Sequence, residues 1–183
     1  MKNFVVILLM ITSFASCSNP EARKPIVRKT GSFINESIER NKLLNNAENA
    51  LLMEKMKMDS SHEYLNSANG FWYYYLTKTE SETYLPKRGD EVFYSHEIRS
   101  LNDSILYSKE ELGTKSYLVD KEDLISGLQD GIKLMKEGET VSFLFPSYKA
   151  YGYSGHGKIG PNEPLIYIVQ LIKINKLSKN EIN

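Results

Sequence analysis

The chain has 183 residues, with 23 Lys plus Arg against 23 Asp plus Glu, so its formal net charge is zero. That balance leaves no basic face for nucleic acid, and none is expected as a partner. The single cysteine excludes an internal disulfide, the three scattered histidines lack metal-ligand spacing, and 12 Tyr beside 7 Phe favour a packed, sheet-rich domain.

The first element is a targeting segment, residues 1–16. Lys2 precedes an apolar run from Phe4 to Phe14, then Ala15 and Ser16 lead to Cys17. The run is shorter than the ~20 apolar residues a membrane-spanning helix needs, and its layout is that of a secretory signal. Small residues directly before the one cysteine resemble a bacterial lipobox, with Phe14 where Leu is usual. The resemblance implies cleavage before Cys17, lipidation of its thiol and a membrane anchor in the cell envelope. Ser18 is compatible with the outer membrane, facing the periplasm.

Residues 17–31 read as a tether, polar and interrupted by Pro20, Pro25 and Gly31. Residues 32–69 read as a helical extension. Ser32 to Ser60 lack Gly and Pro, and Leu44, Ala47, Leu51 and Met58 recur at helical spacing, flanked by Leu52 and Met56. That apolar stripe must bury, either on its own chain or on a second copy. A homodimer through residues 32–60 is therefore one expectation.

The main domain is expected over residues 70–176, with 177–183 as a tail. Phe71–Thr79 reads as a strand. Glu91–Ile98 alternates, placing Val92, Tyr94 and His96 on one face, and short strands follow at "ILYS" and "KSYLVD". The period then changes: Leu124, Ile125, Leu128, Ile132 and Met135 suit a helix with Asp120 as N-cap and Gly138 as its stop. Val141, Phe143 and Phe145 alternate in the next strand. A loop with Gly152, Gly155, Gly157 and Gly160 leads into "PLIYIVQLIKIN", apolar on both faces and hence central in the sheet. The fold class is α+β: an antiparallel sheet of five or six strands around one short helix, preceded by the N-terminal helix.

No nucleophile elbow and no phosphate-binding glycine pattern appears, and no cofactor or metal is implied. What remains is a group of aromatic and aliphatic residues at element edges: Tyr94, Leu106, Leu124, Ile125, Leu128, Tyr151, Ile159 and Tyr167. Singly each reads as core. Together they suit the lining of an apolar concavity between helix and sheet.

"KRGDEVFYSHEI", "LISGLQDGIKLMKEGETVSFLFPSYKAYG" and "IGPNEPLIYIVQLIKI", in that order, resemble the FKBP type of peptidyl-prolyl cis-trans isomerase over about residues 86 to 175. With the signal and the helical extension, the chain looks like the gliding-motility-associated FKBP lipoproteins of Bacteroidetes (the GldI class). The resemblance implies a bent sheet wrapped around one helix, with proline-containing exported polypeptides as substrates. It assigns Tyr94, Ile125 and Tyr151 to catalysis, Ile125 through its backbone N–H. It assigns Leu106, Leu124, Leu128, His156, Ile159 and Tyr167 to substrate binding. Three positions depart from the pattern. Leu128 stands where Trp is frequent, Tyr107 where Asp is frequent, and Gly160-Pro161 replaces Pro-Pro in a shorter flap. A smaller base implies a looser pocket and weaker binding of bulky macrolides. These departures motivate the alternative of a non-catalytic binding module of the motility or secretion machinery.

Overall fold

The first element is helix α1, Thr30–Met58, whose sequence from Ser32 onward is free of Gly and Pro. After it come β1 (Leu65–Asn66), β2 (Trp72–Thr77), β3 (Glu91–Ser100), β4 (Ile105–Tyr107) and a single-turn helix α2 (Lys109–Leu112). The chain continues with β5 (Lys115–Leu118), helix α3 (Ser126–Ile132), β6 (Thr140–Phe145), two 3-10 turns and β7 (Leu165–Asn175). This computed structural model describes residues 30–80 and 83–177, with side chains from Phe33 onward. Cys17, the signal, the tether up to residue 29 and the tail beyond residue 177 lie outside the described residues. Residues 38–183 form one compact unit and residues 1–37 another, of which only the start of α1 is described.

All pairings are antiparallel, in the order β1-β2-β6-β7-β3-β4, with β5 pairing the outer half of β3. The sheet thus has seven strands. The five or six expected omitted β1, a two-residue strand too short to show periodicity. β7 lies centrally, as its apolar run requires, between β6 and β3. The period-2 alternation divides the sheet into two faces. Val141, Phe143 and Phe145 of β6, with Leu165, Tyr167 and Val169 of β7, occupy the inner face and the main core. Ser142, Leu144, Ile166 and Ile168 occupy the outer face.

Helix α3 covers the inner face at close range. A Cβ on Gly127 would stand 2.7 Å from the Phe145 ring and 2.9 Å from the Lys149 carbonyl, so this approach requires glycine. The helix begins later than expected. Asp120 is not its N-cap: it sits at φ 55° in a turn and donates its N–H to the Tyr117 hydroxyl. Leu124 and Ile125 precede the helix, and Ile125 is its N-cap, with extended backbone. Gly138 does not end the helix either; it lies in a later turn and donates to the Leu171 carbonyl.

Helix α1 packs on the outer face through Leu52, fully buried against Leu144 and Ile166. Glu48, 5% exposed, anchors it: its carboxylate accepts the Ser147 N–H and hydroxyl, both at 2.7 Å. This i, i+4, i+8 series of Glu48, Leu52 and Met56 is the docked face. The expected stripe stays largely exposed, with Leu44 39%, Leu51 51% and Met58 74% exposed and Ala47 also exposed; Leu51 and Met58 line a solvent-open cavity at the edge of the docked face. A polar anchor selects one helix face over its more hydrophobic neighbour, because a buried carboxylate must be hydrogen-bonded.

Candidate active site

On the inner face, a cavity of about 380 Å³ opens between β3, the segment before α3 and the loop after β6. Tyr94 forms one wall and Tyr167 another, both almost fully buried. Leu128, on α3, is 1% exposed and closes the base. Leu124 and Ile125 form the opposite side, held in extended backbone by the late helix start. Gln129 Nε2 donates to the Leu124 carbonyl at 2.9 Å and fixes that segment. The Ile125 N–H, at the N-cap of α3, has no protein acceptor among the described residues.

Tyr151 follows the first 3-10 turn, Ser147–Lys149, and reaches the cavity from the far side. Its hydroxyl accepts from the Tyr167 hydroxyl at 3.3 Å, which leaves its own proton for an incoming acceptor. The His156 ring stacks on Tyr151, with centroids 5.2 Å apart at 12°. Burial pushes the Tyr94 hydroxyl up to about 12, with Tyr151 adding to it, and burial also raises Tyr167. Each phenol therefore stays protonated and neutral across the ordinary pH range.

Seven of the nine residues expected here line the cavity: Tyr94, Leu124, Ile125, Leu128, Tyr151, His156 and Tyr167. Leu106 and Ile159 stand outside the lining. The register of β3 and β4 shifts between the pairs Ile98–Tyr107 and Arg99–Ile105, leaving Leu106 without a partner across the ladder. The bulge aims Tyr107 at the cavity and sends Leu106 to the edge of the core. Ile159 is 4% exposed in the core, exchanging two backbone hydrogen bonds with His156 at the base of the flap.

Six lining residues are not among the site residues assigned from the sequence: His96, Ile98, Tyr107, Leu112, Lys115 and Ser116. Extending the alternation of β3 from Tyr94 reaches His96 and Ile98. Ser108 capping the Glu111 N–H at 3.2 Å is the capping signal for α2, which brings Leu112 in. Nothing in the sequence foretells the bulge that brings Tyr107. His96 lies between Tyr94 and Tyr167, stacked on the latter at 5.7 Å and 4°. It is 8% exposed and its Nδ1 has no partner. Burial, with the Lys115 charge adding, lowers it to about 4, so the ring is neutral in the cavity near neutrality.

Among the described residues, no three His, Cys, Asp or Glu side chains gather so as to hold a metal ion. The cavity offers an apolar, aromatic enclosure with a few fixed hydrogen-bond donors. Among the described residues, its Ser116, Lys115, His96 and His156 side chains form no hydrogen-bonded nucleophile–base pair, which suits a reaction without covalent chemistry.

Residues 82–172 match the model of a protein family described as FKBP-type peptidyl-prolyl cis-trans isomerase. The chain is 34% identical over 110 residues to the peptidyl-prolyl cis-trans isomerase Mip of Coxiella burnetii, covering 60% of this chain and 46% of that protein. It is 35% identical over 103 residues to a probable FKBP-type isomerase, FkpA, of Neisseria meningitidis, covering 55% and 37% respectively. The chain thus spans less than half the length of these curated relatives. Among solved structures, FkpA from Escherichia coli shares the fold with a TM-score of 0.59 at 20% identity, covering 96% of this chain and 83% of that one.

Proposed function

We propose that this chain, which carries an FKBP-type peptidyl-prolyl cis-trans isomerase domain, accelerates proline isomerisation in exported polypeptides from a membrane anchor. The observation that carries the reading is the inner cavity, apolar on most sides with convergent donors at Tyr151 and the Ile125 N–H. An X–Pro bond turns slowly because amide resonance must be lost, across a barrier of ~18–20 kcal/mol. The planar amide is more charge-separated than the twisted one, so a dry apolar enclosure favours the twisted form. Fixed donors that hold the flanking carbonyls in that geometry add to the preference. Each ~1.4 kcal/mol gained in this way is a factor of ten in rate.

In this mechanism Tyr94 walls the prolyl ring, Ile125 donates its N–H to a substrate carbonyl, and Tyr151 donates its hydroxyl to the peptide. Leu124, Leu128 and Tyr167 enclose the ring, while His156 supports Tyr151. Leu106 and Ile159 act indirectly, through the strand edge and the flap. Residues 70–176 hold this domain, and residues 32–69 extend it.

Lipidated Cys17 would tether the protein to the cell envelope, on the outer membrane facing the periplasm, in support of gliding motility. This part rests on the sequence of residues 1–18. The exposed apolar stripe of α1 supports pairing with a second copy through residues 32–60. The deciding experiment is a proline-limited refolding assay with residues 18–183. Catalysis of several X–Pro substrates is expected, and absence of any rate gain would overturn the reading.

A further inference from the structure

The segment after β6 includes a glycine-rich flap, residues 155–161, whose place over the cavity is held by one side chain from the other side of the mouth. Tyr107 lines the cavity, and its hydroxyl accepts the Lys158 N–H at 2.8 Å. The approach is so close that a Cβ on Gly157, at φ +55°, would lie 2.2 Å from that hydroxyl. Lys158 then folds back: its Nζ stands 4.7 Å above the Tyr107 ring and 2.9 and 3.0 Å from the two Glu111 oxygens. Glu111 is on α2, two residues beyond its start, and Ser108, next to Tyr107, caps that helix. Tyr107, the α2 cap and the ion pair therefore form one fixture facing the flap.

The exposed Lys158–Glu111 pair contributes little by itself. The half-buried side of the fixture is the phenol. Its oxygen is occupied by the Lys158 N–H, and its proton has no acceptor among the described residues. Tyr151 is in the same condition on the opposite side, with its oxygen occupied by Tyr167 and its proton open.

We propose that Tyr107 is a specificity-determining residue of this pocket: its hydroxyl latches the flap over the mouth, and its ring takes the space that a bulky side chain beside the substrate proline would need. The inference rests on the isomerase reading for its substrate and on the flap geometry for the latch. Two consequences separate. Loss of the hydroxyl frees the flap and weakens every substrate alike, through KM. Shortening of the ring opens the mouth and changes which neighbour of proline is preferred.

The full chain is used, with peptides of the form Ala-Xaa-Pro-Phe in which Xaa is Ala, Leu, Phe or Trp. In Tyr107→Phe, hydrogen exchange at the Lys158 amide should quicken about five- to tenfold, as loss of one hydrogen bond implies, while the Val169 amide is unchanged. KM should rise equally for all four peptides at constant kcat. In Tyr107→Leu, kcat/KM for Trp-Pro relative to Ala-Pro should rise about tenfold. Gly157→Ala should destabilise the chain less when combined with Tyr107→Phe than alone, because the 2.2 Å conflict is relieved. Unchanged Lys158 exchange in Tyr107→Phe, additive effects of the pair, or a Tyr107→Leu profile equal to that of the unmodified chain would each overturn the proposal. If the unmodified chain isomerises nothing, the isomerase reading fails. Peptide dissociation constants measured by NMR titration then replace kcat/KM, with the same expected shift in preference.

Discussion

Two of the cavities on this sheet lie on opposite faces, and the larger of the two is the less equipped for chemistry. The outer cavity, about 700 Å³, lies between the last turns of α1 and a floor of Tyr74, Leu144, Ile166 and Ile168. Most of the charged groups on its rim are paired, while the Ser142 hydroxyl on its floor has no partner among the described residues. Lys55 pairs with Asp103, and Asp59 accepts from the side chains of Ser61, His62 and Tyr64. Those bonds hold the Asp59 carboxyl well below the usual carboxylate range. The inner cavity has about half the volume, yet the Tyr107, Tyr151 and Ile125 donors on its lining have no protein acceptor among the described residues. Uncommitted donors in an apolar wall mark a binding site better than volume does. Under the proposed function, outer-face contacts hold the fold while the inner face receives the substrate.

The severest test of that division is Leu52→Ala. Leu52 is the fully buried apolar anchor of α1. Its truncation should cost about 2–5 kcal/mol of stability, read from urea midpoints. The kcat/KM of the folded protein should stay within about twofold of the parent under native conditions. A tenfold fall would break the division.

The second test belongs to the inner face and depends on pH. His96 falls to about 4 in the folded protein, against an ordinary value of about 6.5. Between those values the unfolded chain binds the proton and the folded chain does not. Stability therefore is fully present above pH 6.5 and declines as the pH falls towards 4, by an amount on the order of 3 kcal/mol. The groups around the ring are the phenols of Tyr94 and Tyr167, which do not titrate there, and the Lys115 ammonium. His96→Gln should flatten this part of the urea-midpoint profile. An equally steep profile would show that other groups govern the acid limb.

Glu48 sharpens the division, because it joins the two faces. Its carboxylate holds Ser147, the first residue of the turn that leads to Tyr151. Glu48→Ala leaves the Ser147 N–H and hydroxyl without their partner, a loss of about 1–3 kcal/mol for each buried group left unsatisfied. Of the outer-face substitutions, this one alone should also lower kcat/KM, by moving Tyr151. A stability loss with unchanged kcat/KM would show that the turn keeps its shape without the helix.

Much of this architecture was legible because alternation and burial leave strong patterns. The central place of β7 follows from an apolar run too long to face water, and Tyr94 with His96 share a face by period alone. The docked side of α1 was hidden because hydrophobic periodicity gives no weight to Glu48. A carboxylate reads as solvent-facing until its partner, Ser147, arrives from 99 residues away. The start of α3 was misplaced for a related reason. Asp120 has the chemistry of an N-cap, but its N–H is taken by Tyr117, and Leu124 and Ile125 remain extended along the cavity wall. Tyr107 was seen as a departure from the family pattern, and only the bulge opposite Ile98 explains how it replaces Leu106 at the mouth.

The smallest expected effect is the most discriminating one. Tyr151→Phe deletes a hydroxyl while keeping the ring and its stacking on His156. The bond from Tyr167 is long at 3.3 Å, so its loss should reduce stability by less than about 1 kcal/mol. Under the proposed mechanism its bond to substrate would be lost as well. A net hydrogen bond of about 0.5–1.5 kcal/mol corresponds to a roughly two- to tenfold fall in kcat/KM. If the donor acts in the transition state, kcat should carry that fall and KM should stay constant. A rise in KM alone would make Tyr151 a holder of bound peptide, and would shift the source of acceleration to the apolar wall of Tyr94, Leu128 and Tyr167.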